Sequence, residues 1–511
     1  MNIAQNVERG RRFFPNKAAL IFEGKSFSYE QLNQLVNCAA NGLRNLGIEK
    51  GDRVAIYLPN IPEFIFSYLG LLKIGAVVVS INVMLKRDEV WYILNDASVK
   101  AIITTEKLRA NVPDQDLSCL QYVLMAGETS LPSLSLEAIM KMSSEEAVAM
   151  NMDRKDPAMI LYTSGTTGFP KGAVLSHGNV ISNMYSKVYC CGMRPEDKLL
   201  LYLPLFHAFG QNAIMNSGFH ACATIILQQR FQEEQVLKAV VQNQATMFFG
   251  VPAVFAKLLE ANIDQRDLSS VRYFFSAASV LPLELVERWQ ANYNTRLYEG
   301  YGMTETSPFA CYNHYWKYKP GSIGMPIDNV EMKVVDFEGR EVPQGQLGEI
   351  IISGPNVMLG YWNRPEETAK AIKDGWFHTG DIGRVDEDGY FYIVDRLKDM
   401  INVSGFKVYP SEVERVFYQH PAVAEVAVYG IPNRIKGEIV KANVRLKAGE
   451  LVSKKNLMKF CKERMATYKV PQEIELVDFL PKNSTGKVLK RELREEAIRE
   501  REIAERITFA N

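Results

Sequence analysis

The sequence predicts an α/β protein: a large N-terminal domain of α/β layers with a β-rich subdomain, then a small α/β domain at the C-terminus. Three observations carry this. Over the first 300 residues amphipathic helices alternate with short apolar strands, the pattern of a largely parallel sheet. From Gly321 to Val394 glycine is frequent and strands are short, which marks the β-rich part. After Arg396 a second helix–strand alternation begins, so the boundary is placed near Lys398, giving residues 1–397 and 398–511.

The elements follow in order. Tyr29 to Leu46 has helical spacing in Leu32, Leu35, Val36, Ala39 and Leu43. A strand starts at Arg53, a helix at Pro62, and AVVVSI is the next strand. A helix from Glu89 to Asn95 leads to a strand from Lys100 to Thr104. VEMKVVD, GEIIISG and YFYIVD are short strands of the β-rich part. Beyond Arg396, Pro410 to His420 and Lys454 to Arg464 read as helices, Val423 to Val428 and Ile439 to Leu446 as strands. The charged tail, Lys487 to Arg506, reads as a solvated terminal helix.

Composition narrows the function classes. The chain has 511 residues, 47% hydrophobic and 23% charged, too apolar for disorder. Lys plus Arg and Asp plus Glu are 59 each, so no whole-chain basic surface exists for nucleic acid or a membrane. Seven cysteines, without a CxxC pair, indicate neither a disulfide framework nor a zinc site and fit reduced thiols in a cytoplasmic protein. The most apolar stretch, Phe64 to Leu85, is interrupted by Lys73, Ser67, Ser80 and Asn82, which argues for a buried helix and strand rather than a membrane span. No signal peptide is expected from the first residues.

Chemistry concentrates first in ILYTSGTTGFPKG, residues 160–172. A strand runs into Thr163, Ser164, Gly165, Thr166, Thr167 and Gly168, and Lys171 follows. Small residues let backbone N–H groups approach phosphate oxygens, hydroxyls add donors, and lysine adds charge. Pro170 stands where a Walker A loop needs its second glycine, so the loop is of another kind.

YTSGTTGFPKG resembles the signature loop of the adenylate-forming superfamily, which includes acyl-CoA synthetases, peptide-synthetase adenylation domains and firefly luciferase. LPLFHAFG (203–210), YGMTET (301–306), HTGD (378–381), DRLKDMINVSGFKVYPSEVE (395–414) and PKNSTGKVLKREL (481–493) resemble its later motifs in order. GQLGEIIISGPNVMLGYW (345–362) departs by Gln346 where the family carries Glu. The resemblance runs from about Phe27 to about Arg494. It implies ATP-dependent activation of a carboxylic acid to an acyl-adenylate, then transfer to a thiol. Cofactors would be ATP, Mg²⁺ and coenzyme A.

The resemblance also implies roles. The loop from Thr163 to Lys171 would cradle the β- and γ-phosphates. Glu305 would hold Mg²⁺, with Thr163, or else Thr166, supplying a hydroxyl. Tyr301 would stack on adenine within a cradle of Ser276, Ala277, Ala278, Gly302, Met303 and Thr304. Asp381, helped by Arg396, would bind the ribose hydroxyls. Lys487 would stand between carboxylate and α-phosphate. The C-terminal domain would be mobile about a hinge at Lys398, where many relatives carry Asp, and then present Gly405 and Phe406 to pantetheine. No cysteine lies in a nucleophile-like context, so the thiol is external: CoA, with an acyl carrier protein as the alternative.

The acid pocket would lie behind His207 and pass Phe249, Gly250, Ser276, Ala277 and Gly300, with Gly300 leaving room for a chain. No Asp aligns to pair a substrate ammonium, so an amino acid is disfavoured. The motifs most resemble bacterial medium- and long-chain fatty acyl-CoA synthetases; aryl acids compete, and His207 could be a core histidine. Other readings are a fatty acyl-AMP ligase, disfavoured because the N-terminal region has no evident insertion, and a luciferase-like oxygenase, for which nothing marks a luciferin site. A homodimer is compatible with all of these.

Overall fold

The computed structural model describes residues 1–129, 134–163, 170–261, 263, 265–404, 406–433, 436–482 and 488–510, with the backbone alone at 265, 266, 398 and 502–510. It is an α/β protein of two compact units, Met1–Met332 with Ile352–Phe377, and Lys333–Ile351 with His378–Asn511. The expected boundary near Lys398 falls inside the second unit, which also takes in part of the β-rich segment.

Two sheets build the first unit. In one, six neighbouring strands are parallel: Leu297–Gly302, Tyr273–Ser276, Met247–Gly250, Lys198–Leu201, Thr224–Leu227 and Ala18–Phe22. Antiparallel strands close both edges. In the other, Pro157–Thr163, Val77–Ser80, Arg53–Tyr57, Ala101–Thr104 and Tyr122–Met125 run parallel, and Lys171–Ser176 folds back on the first of them. Val77–Ser80 is buried throughout, as a strand covered on both faces must be, hence its unbroken valines.

Helix starts are written in the sequence. Ser28 and Gln31 form a reciprocal capping box before Tyr29–Asn45, and Ser176 with Asn179 does so before His177–Cys190. Pro62 opens Pro62–Lys73 with a φ already suited to the first turn. Lys73, which breaks the apolar run in sequence, is fully buried at the end of that helix. Its ammonium pairs with Glu8 at 2.8 Å, and the Asn37 side-chain oxygen also accepts from it.

The second unit contains the long hairpin Val423–Asn433 with Gly437–Leu446. Both strands exceed expectation, because Gly430 and Pro432 look like breakers in sequence yet keep their register. Alternation sorts the side chains: Val426 and Val428 face Val413, Phe417 and Leu457, while Ala427, Tyr429 and Ile431 pack with Leu493 and Ala497. The tail is thus a helix, Lys490–Ala510, but not a fully solvated one: Leu493 and Ala497, four apart, dock it.

Candidate active site

Three adjacent parallel strands of the first unit end in candidate residues. Met247–Gly250 carries Phe249, Tyr273–Ser276 leads to Ala277 and Ala278, and Leu297–Gly302 carries Gly300 and Tyr301. The carboxyl ends of parallel strands are where such sheets present ligand-binding residues, because the following loops leave the sheet there. Ala278 sits in the left-handed region at φ 75°, a strained conformation for a residue with a Cβ. Ser276 is fully buried and its hydroxyl has no partner among the described residues. Gly302 is required by packing, since a Cβ there would run into the Pro308 carbonyl.

Glu305 lies in the short helical turn Thr304–Thr306 just beyond Tyr301. One of its oxygens accepts a hydrogen bond from the Tyr361 hydroxyl at 2.9 Å. The Tyr361 ring lies 5.5 Å from the Lys171 ammonium, which is ion-paired with Glu367. Thr163 and Lys171 are cross-strand partners flanking the phosphate loop. A cation, Lys171, and a carboxylate, Glu305, thus converge on Tyr361. Sequence reasoning missed Tyr361 and Glu367, although the first lies in the quoted GYW segment. Glu305 suits Mg²⁺, which takes one or two carboxylates and otherwise keeps water and phosphate oxygens. Among the described residues no cluster of three or more metal-ligating side chains occurs.

His207 is neutral. Its Nδ1 accepts the Phe209 N–H at 3.2 Å, leaving the proton on Nε2, and burial pushes its pKa down to about 4. Phe249 and Gly250, both expected to line the acid pocket, point to opposite faces of their strand. Phe249 is 5.9 Å from the Phe275 ring, while a Cβ on Gly250 would meet the Tyr202 hydroxyl at 2.8 Å. The room expected beside Gly300 is filled, since a Cβ there would meet Phe275 Cζ at 2.6 Å. Glu299, missed in sequence, is buried next to Gly300; burial pushes its carboxyl up to about 8, although the Leu281 N–H donates to it at 3.1 Å.

In the second unit Asp381 and Arg396 stand opposite each other on antiparallel strands, and Arg396 Nε reaches an Asp381 oxygen at 3.0 Å. Glu349 shapes the HTGD turn: it accepts from the Gly380 N–H at 2.9 Å and contacts His378 Nδ1 at 2.8 Å. Asp395, just before the expected hinge, accepts from the Ser411 N–H at 2.7 Å. Burial raises its pKa, with the Lys490 charge opposing. Lys490 pairs with Glu414 at 2.7 Å. Lys398 is the middle residue of the helical turn Leu397–Asp399, and its side chain lies outside the described residues. Phe406 is exposed and stacks on Tyr468 at 4.8 Å. Ser164, Gly165, Thr166, Thr167, Gly168, Gly405 and Lys487 lie outside the described residues.

The family models decide the assignment. Residues 7–362 match the AMP-binding enzyme model, and residues 412–487 match the AMP-binding enzyme C-terminal domain. The chain belongs to the AMP-binding enzyme family. It is therefore an enzyme, an acid–thiol ligase. It is 36% identical to a long-chain-fatty-acid–CoA ligase of Bacillus subtilis (strain 168), over 94% of this chain and 92% of that one. It is equally 36% identical to a feruloyl-CoA synthase of an Amycolatopsis species, over 95% and 97%. A crystal structure of the anthranilate CoA ligase AuaEII with anthranoyl-AMP is similar with a TM-score of 0.90 and 30% identity, covering 97% of each chain. Among the described residues, no helix of this AMP-binding enzyme is long and apolar enough to cross a membrane.

Proposed function

We propose that this enzyme joins a medium- or long-chain fatty acid to coenzyme A through an acyl-adenylate. A carboxylate oxygen attacks the α-phosphorus of ATP, and the bond to pyrophosphate breaks. The CoA thiolate then attacks the acyl carbon and AMP leaves with the bonding pair. Both reactants of the first step are anions, so the site has to neutralise charge and hold them in line. The single observation that carries the reading is the Lys171–Tyr361–Glu305 arrangement beside the phosphate loop, in a chain whose family matches cover residues 7–362 and 412–487.

In this reading Lys171 leaves Glu367 for phosphate oxygens, and Glu305, steadied by Tyr361, would hold Mg²⁺, which would supply positive charge against the phosphates. Tyr301 stacks on adenine, and Asp381 with Arg396 takes the ribose. Lys487 meets the charge developing at the α-phosphate. The segment from Lys398 onward turns between the two steps and offers Gly405 and Phe406 to pantetheine. His207, neutral and with Nε2–H free to donate, borders the acid. The relatives support two acid classes equally, and the aromatic wall of Phe249 and Phe275 favours an aryl acid as the second reading. An acyl carrier protein is the second acceptor.

The test is ATP–pyrophosphate exchange with acids from C4 to C16 and with aryl acids, followed by mass spectrometry of products formed with CoA and with a holo carrier protein. Exchange with a fatty acid and a CoA thioester product are expected. Exchange confined to aryl acids would replace the acid, and acyl transfer only to the carrier protein would replace the acceptor.

A further inference from the structure

Helix His177–Cys190 aims one charged side chain into the first unit. Lys187 is fully buried, and no oxygen acceptor among the described residues reaches its Nζ; the Cys191 sulfur, a weak acceptor, lies beside it. Four rings surround the ammonium: Phe275 at 3.9 Å, Phe309 at 4.5 Å, Tyr312 at 4.5 Å and Phe249 at 4.8 Å from their centroids. One turn earlier Asn183 fixes the helix against this wall, donating to the Phe309 carbonyl at 2.7 Å. The Tyr312 hydroxyl is buried in the same cluster and has no partner among the described residues either.

Core filling does not account for this. A methionine would pack against the same rings without burying a charge, and ring faces compensate only part of that penalty. Burial does lower the Lys187 pKa, to about 8 with the Cys191 thiol opposing, so the amine is still mostly charged at neutral pH. The Lys187 ammonium and the Tyr312 hydroxyl thus both lie in one packed aromatic cluster, neither with an oxygen acceptor among the described residues.

The cluster includes Phe249, a residue expected to line the acid pocket. Phe275 touches both ends: its Cζ fills the space beside Gly300, and its face lies against Lys187. Phe209, two residues after His207, meets Phe275 and Phe309 edge-on, with centroids 6.2 and 5.7 Å apart. Aromatic surface is thus continuous from beside His207 to the ammonium. An acid chain moving past Gly300 would have to turn the Phe275 ring aside, and its far end would then meet Lys187 and Tyr312.

We propose that Lys187, with the Tyr312 hydroxyl, selects the far end of the acid, and that the preferred acid carries an oxygen acceptor there, as a hydroxyl, carbonyl or carboxylate. This rests on the acid-activation reading above and narrows its substrate class. A site built to satisfy buried donors rejects an analogue that lacks the acceptor, because the donors are then left unmet.

The experiment compares matched acids in ATP–pyrophosphate exchange by the full chain: octanoate with ω-hydroxyoctanoate and octanedioate, and benzoate with para-hydroxybenzoate. The expected result is a kcat/KM at least about tenfold higher for the oxygen-bearing member of one series, and loss of that preference in Lys187→Met while the plain acid is still activated. Tyr312→Phe, which removes one oxygen atom and carries the same test if Lys187→Met does not fold, should lower the ratio several-fold. A preference for the plain acid in every series, or an unchanged ratio in a folded variant, overturns the proposal while leaving acid activation standing. Absence of exchange with every acid overturns acid activation and this proposal together.

Discussion

Tyr361 ties a carboxylate to a cation: its hydroxyl holds Glu305 and its ring lies beneath Lys171. Tyr361→Phe keeps the ring and removes the donor. A hydrogen bond to a charged group contributes about 1.5–3 kcal/mol, so pyrophosphate exchange should fall roughly tenfold or more, with a raised Mg²⁺ requirement. A Mg²⁺ titration of the variant checks this, and an unchanged midpoint would remove Tyr361 from the site. His177 and His220 give a second prediction, for both are buried and burial pushes each down to about 4. Each binds its proton more weakly folded than unfolded. Their contribution is therefore full above about pH 6.5 and is lost as pH falls toward 4, by up to roughly 3 kcal/mol each. Melting temperature should drop across that window, and less steeply in His220→Gln. Residues at fixed spacing in a motif, such as Lys171 and Glu305, were legible in the sequence. Tyr361, Glu299 and Lys187 were not, because their roles depend on neighbours far away in the chain.

At the level of elements, one ion pair ties the start of the tail helix to helix Pro410–Tyr418. Lys490 pairs with Glu414; burial alone would lower its pKa, but Glu414 and Asp395 more than offset that. Lys490→Gln leaves Glu414 and the buried Asp395 without their cation. Breaking a buried pair is costly, here discounted for partial exposure to about 1–3 kcal/mol, which should appear as a lowered melting temperature. An unchanged melting temperature would show that Leu493 and Ala497 alone hold the tail. Helices such as Tyr29–Asn45 could be read from periodicity, and Pro62 marked a helix start. What could not be read was extent and facing. Gly430 and Pro432 hid the length of the hairpin, and Gly250 beside Phe249 concealed that consecutive strand residues serve different faces. The π-helix Phe209–Asn216 has no sequence signal of its own; Gln211 within it donates to Ser80 at 2.8 Å, a contact 131 residues away in the chain.

On the scale of the whole chain, the proposed mechanism has the two half-reactions draw on different segments. Lys487 is assigned to the first alone, so Lys487→Ala should cut adenylate formation by on the order of 10²–10³ while transfer from a supplied acyl-adenylate persists. Following both half-reactions separately checks this, and comparable losses in the two would remove the assignment. A charge balance of 59 against 59 gives the chain no net charge to gather anions, so the placing of its charges has to do it.

Glu299 shows what that locality implies. A carboxyl whose pKa is raised to about 8 keeps its proton in neutral solution, so the wall beside Gly300 and Tyr301 is electrically silent there. In the proposed reaction an anionic substrate would then pass an acidic side chain without being repelled by it. The same atoms in alkaline solution would become a negative gatepost, so the sequence letter E at position 299 describes an anion only on one side of a pH threshold.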